Sequence, residues 1–361
     1  KGMWLAETAV DLETLEILVD HGIEFTILAP KQAQRIKRIK DSDWITVREE
    51  NVDTRKAYKC LLPNGKSIHI FFYNGGISHD IAFGDLLKNG DKLIDRMVSG
   101  FSHRLEEPEL VHVATDGETF GHHHRFAEMA LTWCLGRAEG EKLARITCYS
   151  EFLSLEKVEW QCEVRPFSAW SCDHGVERWR SDCGCQFHSG THQRWRQPLR
   201  TALDFLRDQA AEMYEQVTRD FFNDAEDARN AYIEVFIQLK KEEFFSKFCK
   251  RVPTAEERVR LLKALEMQRH SLLMFTSCAW FFDDIGGIET QQVLQYAARV
   301  LQLARELGAS HFEKPFLEIL ARAASNDSAL GDGHKIYEQF NRDEFLKQAD
   351  ELAKQLAVRE E

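Results

Sequence analysis

No stretch of this 361-residue sequence strings together the ~18 apolar residues that a membrane-spanning helix requires. It also lacks the basic-then-apolar opening of a secretory leader. There is no basic surplus: 47 Lys and Arg stand against 59 Asp and Glu, a formal charge of −12. Proteins that bind phosphate backbones by displacing counterions need the opposite balance, so no nucleic-acid partner and no membrane partner is expected. Paired C-x2-C knuckles are missing as well, which removes the common zinc-finger patterns. No repeat of fixed period runs through the chain.

Nine cysteines are present: Cys60, Cys134, Cys148, Cys162, Cys172, Cys183, Cys185, Cys249 and Cys278. The number is odd and most stand singly in apolar segments, which suits reduced thiols and a cytoplasmic setting. Cys172, Cys183 and Cys185 cluster near His174 and His188. Their C-x-C spacing reads as a loop of buried thiols, with a structural zinc site the lesser alternative, and no metal or other cofactor is assigned. The opening Lys1-Gly2-Met3-Trp4 enters a strand-like run directly, which reads as a cut through a larger protein.

What the chain does have is core-forming material, with 43% hydrophobic residues and 24 Phe. Its length exceeds that of a usual single domain, so two are expected. The first part alternates strand-like runs at 2–6, 24–29, 67–73, 110–115 and 144–148 with amphipathic helices. One helix carries Leu12, Leu15, Ile17, Leu18 and Val19 and stops at His21-Gly22; others are expected over 81–98 and 123–137. The basic run 31–40 reads as the solvated face of a helix, and 53–66 as a hairpin turning at Pro63-Asn64-Gly65. After a Trp-, Cys- and His-rich transition at 158–185, the pattern is helical almost throughout. Stripes such as Leu199, Leu203, Leu206, Ala210 and Val293, Ala297, Val300, Ala304 point to helix packing. The reading is an α/β domain over 1–165 and a loop-rich, then all-α domain over 166–361.

Two carboxylates each follow a short apolar run and precede a helix. Glu7 ends Met3-Trp4-Leu5-Ala6-Glu7, and Asp116 lies in Thr115-Asp116-Gly117-Glu118-Thr119-Phe120-Gly121-His122-His123. In parallel α/β proteins catalytic groups collect where strands end. Two acids brought together there suffice for cleaving a glycosidic bond. The plainer reading of Glu7 is a first-turn acid stabilised by the dipole of the next helix.

These motifs also carry a family resemblance. Met3–Glu7 resembles the nucleophile motif of family 57 glycoside hydrolases, and Thr115–His123 is similar to that family's Asp-Gly-Glu-x-Phe-Gly acid/base motif. Ala169-Trp170-Ser171-Cys172-Asp173-His174-Gly175 and Thr276-Ser277-Cys278-Ala279-Trp280-Phe281-Phe282-Asp283-Asp284 resemble a branch with an additional helical C-terminal domain. The resemblance implies a partial (β/α)7-type barrel followed by helices. It further implies a retaining, metal-independent enzyme acting on an α-glucan or oligosaccharide. Glu7 would be the nucleophile and Asp116 the general acid/base. The family's two earlier motifs have no counterpart here, which implies an incomplete barrel.

The residues themselves suggest who would hold a sugar. Trp4, Trp170 and Trp280 offer faces for stacking, with Trp4 expected to pack inside the barrel. Tyr73 ends a strand at the right position, with Asn74 beside it. Glu118, His122, His123, His174 and Asp283 offer hydrogen bonds to hydroxyls. His122, His123 and His124 are expected to open a helix, and Asp116 with His122 and His124 is a conceivable metal set. Two rival readings stand beside the enzyme: a carbohydrate-binding or regulatory protein on a vestigial barrel, and a metal-dependent carbohydrate deacetylase or hydrolase. Hydrolysis and glucanotransfer share one covalent step, and nothing in the residues chooses between them or sets an oligomeric state.

Overall fold

The computed structural model describes residues 1–48, 51–102, 107–238 and 241–339; the end of the expected second domain, 340–361, lies outside the described residues. The chain divides into two units, Lys1–Val176 and Glu177–Glu361. Among the described residues no helix is long and apolar enough to cross a membrane.

The first unit is built on a seven-stranded mixed sheet. Its strands are β1 (Gly2–Met3), β2 (Phe25–Leu28), β3 (Ala33–Arg38), β4 (Ile45–Thr46), β5 (Ala57–Leu61), β6 (Ser67–Phe72) and β7 (Trp160–Val164). They lie in the order β1-β2-β6-β5-β7-β3-β4. β1, β2 and β6 run parallel, so their C-terminal ends share one edge. β5 and β6 form the expected hairpin, antiparallel with Leu61 opposite Ser67.

Side chains alternate across this sheet, as period-two geometry requires. Ile68, Ile70 and Phe72 of β6 join Leu28 on one face, under Leu15 and Leu18 of α1 (Leu12–Asp20). Phe71 and Tyr73 join Phe25 and Ile27 on the other. Helices α2 (Gly75–Phe83), α3 (Gly90–Val98) and α4 (Ala127–Gly140) bury a separate cluster around Ile77, Ile81, Leu93, Ile94 and Ala130. α5 (Tyr149–Leu155) lays Tyr149 and Phe152 on the Phe25–Phe71 face.

Several elements differ from expectation. The 31–40 run is strand β3, not helix, after a turn at Pro30–Gln32. Its cations pair across to β7 and the residue before it, Arg35 with Glu163 at 2.6 Å and Arg38 with Glu159 at 3.3 Å. Arg35 and Arg38, three apart, point to opposite faces of the strand, and each finds an acid on the neighbouring segment. The single helix expected over 81–98 is two, because Asn89 starts α3 afresh by accepting from the N–H groups of Asp91 and Lys92. Segments 110–115 and 144–148 carry no regular secondary structure and join no strand ladder. α4 begins at Ala127, after Phe126 in a left-handed conformation, so the three histidines precede the helix instead of opening it.

The second unit is helical: α6 (Arg196–Thr218), α7 (Ala225–Gln238), α8 (Lys241–Phe248), α9 (Ala255–Leu273), α10 (Ile288–Glu306), α11 (Glu313–Leu320) and α12 (Gly333–Gln339). The stripes read from sequence are its core. Leu199, Leu203, Leu206 and Ala210 of α6 are fully buried, as are Ala297, Val300 and Ala304 of α10. Leu272 of α9, by contrast, faces solvent. α9 opens on a capping box in which Thr254 and Glu257 satisfy each other's backbone N–H.

Candidate active site

Glu7 stands four residues beyond β1, at the edge where the parallel strands end. Its backbone is left-handed, φ 57° and ψ 17°, and Thr8 follows at φ 49°. Two successive non-glycine residues there cost on the order of 1–3 kcal/mol each unless their surroundings impose the conformation. The surroundings do. Gln32, wholly buried, donates to Thr8 O at 2.7 Å and accepts from Thr8 Oγ1 at 2.8 Å and from Ala29 N at 2.9 Å. The backbone of Val10 pairs with that of Ser168, drawing the 168–171 segment alongside.

That segment meets the carboxylate. Glu7 Oε2 accepts from the Trp170 indole N–H at 2.9 Å and from Ser171 Oγ at 2.5 Å. Trp170 N also donates to Glu7 O at 3.1 Å. Glu7 is therefore not capping α1; Asp11 does that, accepting from Thr14 N at 2.8 Å. One carboxylate oxygen is tied down by two donors, and the first-turn reading of this acid falls.

Aromatic rings gather around it. Trp4 meets Trp170 edge to face at 5.1 Å, and Tyr73 meets Trp170 similarly at 6.2 Å. Trp4 is 41% exposed, not packed inside as expected, so it has surface to offer a ligand. Tyr73 is nearly buried and backs Trp170. Asn74 is used up structurally, its side chain accepting from Ile77 N to cap α2.

Asp116 follows segment 110–115 and is exposed. Asn74 N donates to His112 O at 2.9 Å, which ties that segment to the end of β6. Ala114, two residues before Asp116, packs with Trp170 against one cluster containing Tyr73 and Phe71. The segment leading to Asp116 and the indole that holds Glu7 thus share a packing surface. His112 anchors the approach from below. Its Nε2 donates to Thr54 O at 3.0 Å, a carbonyl that can only accept, so Nδ1 is left to accept from Tyr149 OH at 3.1 Å. Burial pushes this imidazole down to about 4, and it stays neutral.

Glu118 faces both His122 and His123, at 3.2 and 3.5 Å from Oε2, in an exposed group of three. His124 turns away to Ala82 O at 2.9 Å, so the metal set of Asp116, His122 and His124 is not assembled. His174 lies with Cys172 in the cysteine-rich loop.

Two candidates serve the second unit's own packing. Trp280 is 1% exposed and its indole donates to Arg196 O, so no ring face is open to a sugar. Asp283 accepts from the backbone N–H groups of Phe187 and His188 and from the His188 ring. Those bonds hold its carboxyl below the usual range although its burial acts the other way, and they leave it a loop-closing role. A hollow of about 860 Å³ in the first unit is lined by Ser102, Glu109, Arg145 and Phe152 among others, and not by Glu7 or Asp116.

Ser171, Gln32 and His112 were not among the residues singled out from sequence. Ser171 adjoins Trp170 in a quoted motif, which was signal enough; Gln32 sat unremarked inside the basic run.

Comparisons with known proteins agree with this organisation. Residues 1–164 match the family model described as glycosyl hydrolase family 57. Residues 191–360 match one described as a domain of unknown function, DUF3536. No curated protein matches. Among solved structures, an exo-type maltose-forming amylase from Pyrococcus sp. ST04 has a TM-score of 0.64 at 17% identity, covering 88% of this chain and 58% of its own. A 4-alpha-glucanotransferase from Thermococcus litoralis has a TM-score of 0.47 at 16% identity, covering 85% of this chain and 42% of its own. The chain spans less than two thirds of either protein's length. Likeness to the amylase is one of fold, a mixed parallel sheet of (β/α)7-barrel type followed by helices. Residues 1–164 are thus similar to glycosyl hydrolase family 57 and residues 191–360 to the DUF3536 domain.

Proposed function

We propose that the first unit carries the reaction centre of an α-glucan-active retaining glycoside hydrolase or glucanotransferase, with Glu7 as nucleophile and Asp116 as general acid/base. The observation that carries this reading is the setting of Glu7: a left-handed residue whose Oε2 is held by Trp170 and Ser171 among exposed and half-buried indoles. A purely structural acid gains nothing from two strained backbone positions. Tying down one oxygen leaves the other with a fixed direction of attack.

In the first step Glu7 Oε1 bonds to the anomeric carbon as the glycosidic C–O bond breaks, and Asp116 gives its proton to the departing oxygen. In the second, Asp116 takes a proton from water or from a sugar hydroxyl. That oxygen displaces Glu7 from the same carbon. The two carboxyls must close to about 5–5.5 Å for this chemistry. Trp4 and Trp170 would stack on sugar rings, and Glu118 with His122 and His123 would bond hydroxyls.

The test is mass spectrometry of the complete protein incubated with an α-glucosyl fluoride. A glucosyl adduct on the peptide containing Glu7, lost in Glu7→Gln together with turnover, is expected. Undiminished turnover in Glu7→Gln rejects the assignment. Glucan binding without turnover, unchanged when both acids are replaced, points instead to a non-catalytic carbohydrate-binding protein.

A further inference from the structure

The turn that follows Asp116 gathers three groups able to hold an ion, all within the first unit. Glu118, His122 and His123 each present one ligand atom, and the three atoms lie within 4.8 Å of one another. Glu118 Oε2 stands 3.2 Å from His122 Nδ1 and 3.5 Å from His123 Nε2. All three side chains are exposed, so an ion from solution reaches them directly.

The backbone sets this convergence. Glu118 O accepts from both His122 N and His123 N, at 3.2 and 2.9 Å. Gly121, just before the pair, takes φ 110°, a conformation that favours glycine. In a strand, neighbouring side chains point to opposite faces, and in a helix they stand roughly 100° apart. Here the turn lays the two imidazoles side by side, 5.2 Å between centroids and tilted by 34°. Both rings therefore address one carboxylate oxygen.

Two imidazoles and one carboxylate are a donor set that zinc takes when it keeps a fourth position open. With Zn–N near about 2.0 Å and Zn–O near about 2.1 Å, tetrahedral ligand atoms sit roughly 3.3–3.4 Å apart. The two separations from Glu118 Oε2 bracket that value. A hydrogen bond accounts for the His122 contact, but 3.5 Å is long for one at His123. Imidazole nitrogen selects zinc and similar transition metals over Mg²⁺ and Ca²⁺, which prefer oxygen alone.

Charge points the same way. Among the described residues no Lys or Arg comes within ion-pair distance of Glu118. The Glu128 carboxylate faces the same turn, with Oε2 4.0 Å from where a Cβ on Gly121 would stand. A divalent cation between the imidazoles supplies the positive charge that these acids lack.

We propose that Glu118, His122 and His123 bind one Zn²⁺ ion, with the fourth position open to water. While bound, the ion takes up the three side chains given above to sugar hydroxyls. That consequence rests on the proposed activity; the binding itself does not.

The experiment uses the purified chain and Zn²⁺ alone. Isothermal titration compares the parent with Glu118→Gln and His123→Ala, and diethylpyrocarbonate labelling of histidine is read by mass spectrometry. Each variant is expected to bind this ion at least about 10-fold more weakly while keeping its circular dichroism spectrum. Zn²⁺ should shield His122 and His123 from labelling and leave the exposed His21 labelled as before. Binding should weaken as pH falls below neutral, because the imidazoles must be unprotonated to ligate. Equal uptake by the parent and both variants overturns the site and leaves an ion pair only. Full labelling of His122 and His123 under saturating Zn²⁺ overturns it too. Neither result touches the glucosyl adduct expected at Glu7, so the two readings fail separately.

Discussion

Ser171 Oγ and the Trp170 indole N–H donate to the same oxygen of Glu7, at 2.5 and 2.9 Å, leaving the second oxygen of that carboxylate uncommitted. In a nucleophile this asymmetry matters twice. It fixes the direction of the free oxygen, and it provides donors for a carboxylate that must leave again as an anion in the second displacement.

Removing one donor should therefore act on the chemical step. A hydrogen bond to a charged group is worth about 1.5–3 kcal/mol, so Ser171→Ala and Trp170→Phe are each expected to lower kcat by roughly 10–100-fold. Ser171→Ala should leave KM nearly unchanged. Trp170→Phe keeps an aromatic face for the sugar, so its KM should rise only slightly. Steady-state kinetics of the complete protein on a maltooligosaccharide decides the matter. A defect confined to KM in Ser171→Ala would mean that this hydroxyl serves binding and not Glu7.

Gln32 is expected to be the stability keystone of the same turn. Its amide makes bonds to Thr8, Ala29 and Ser168 while being wholly buried. Gln32→Leu keeps the volume but strands Thr8 O and Ala29 N away from water, while Thr8 Oγ1 keeps Glu7 O as a partner at 2.7 Å. Each orphaned buried group costs about 1–3 kcal/mol, so a loss of roughly 2–4 kcal/mol is expected after partial relaxation. Urea unfolding measures it. A loss under about 0.5 kcal/mol, typical of an ordinary surface site, would show that the left-handed pair at Glu7 and Thr8 does not depend on Gln32.

These residues mark what the sequence made legible. Glu7, Asp116 and Trp170 stood out as candidates because short motifs carry them, and the core stripes of α6 and α10 were readable because burial imposes a helical period. Gln32 was not, since its value lies in contacts with Thr8 and Ser168 that no local pattern encodes. Strand β3 was misread because Arg35 and Arg38, three apart, fit a helix face as well as cross-strand pairing with Glu163 and Glu159. Trp280 and Asp283 looked like sugar ligands because tryptophan and acid beside glycine are common to binding loops and buried turns alike. Only burial separates the two cases.

His112 should make the first unit sensitive to acid. Burial holds its imidazole at about 4 in the folded chain, below the ordinary 6.5 of the unfolded one. The unfolded state therefore binds more protons between those values. The stability contributed is full above pH 6.5 and is lost as pH falls toward 4. The loss is on the order of 3 kcal/mol across that window. His112→Gln, which can still donate to Thr54 O, should lose less stability between pH 7 and pH 4.5 than the parent does. Equal losses in both, by urea unfolding at the two pH values, would mean that His112 does not hold this proton off.

Glu156 should act with the opposite sign and over a higher window. Its carboxylate is nearly buried at the end of α5, 3.7 Å from Lys56 Nζ, while that ammonium is closer to Glu107 at 2.9 Å and Pro108 O at 3.1 Å. Its Oε2 has no partner. Burial outweighs the attraction of Lys56, and the group is pushed up to about 7. The folded state thus binds more protons than the unfolded state between about 4.5 and 7, so stability is highest below the lower value and falls as pH rises through the upper one. The charged form costs at most about 3 kcal/mol. Glu156→Gln cannot ionise and keeps the shape, so its advantage over the parent should grow by roughly 1–3 kcal/mol between pH 5 and pH 8. Urea unfolding of both proteins at those two values is the measurement. A gap that stays constant would mean that Glu156 keeps its charge on Lys56 at both.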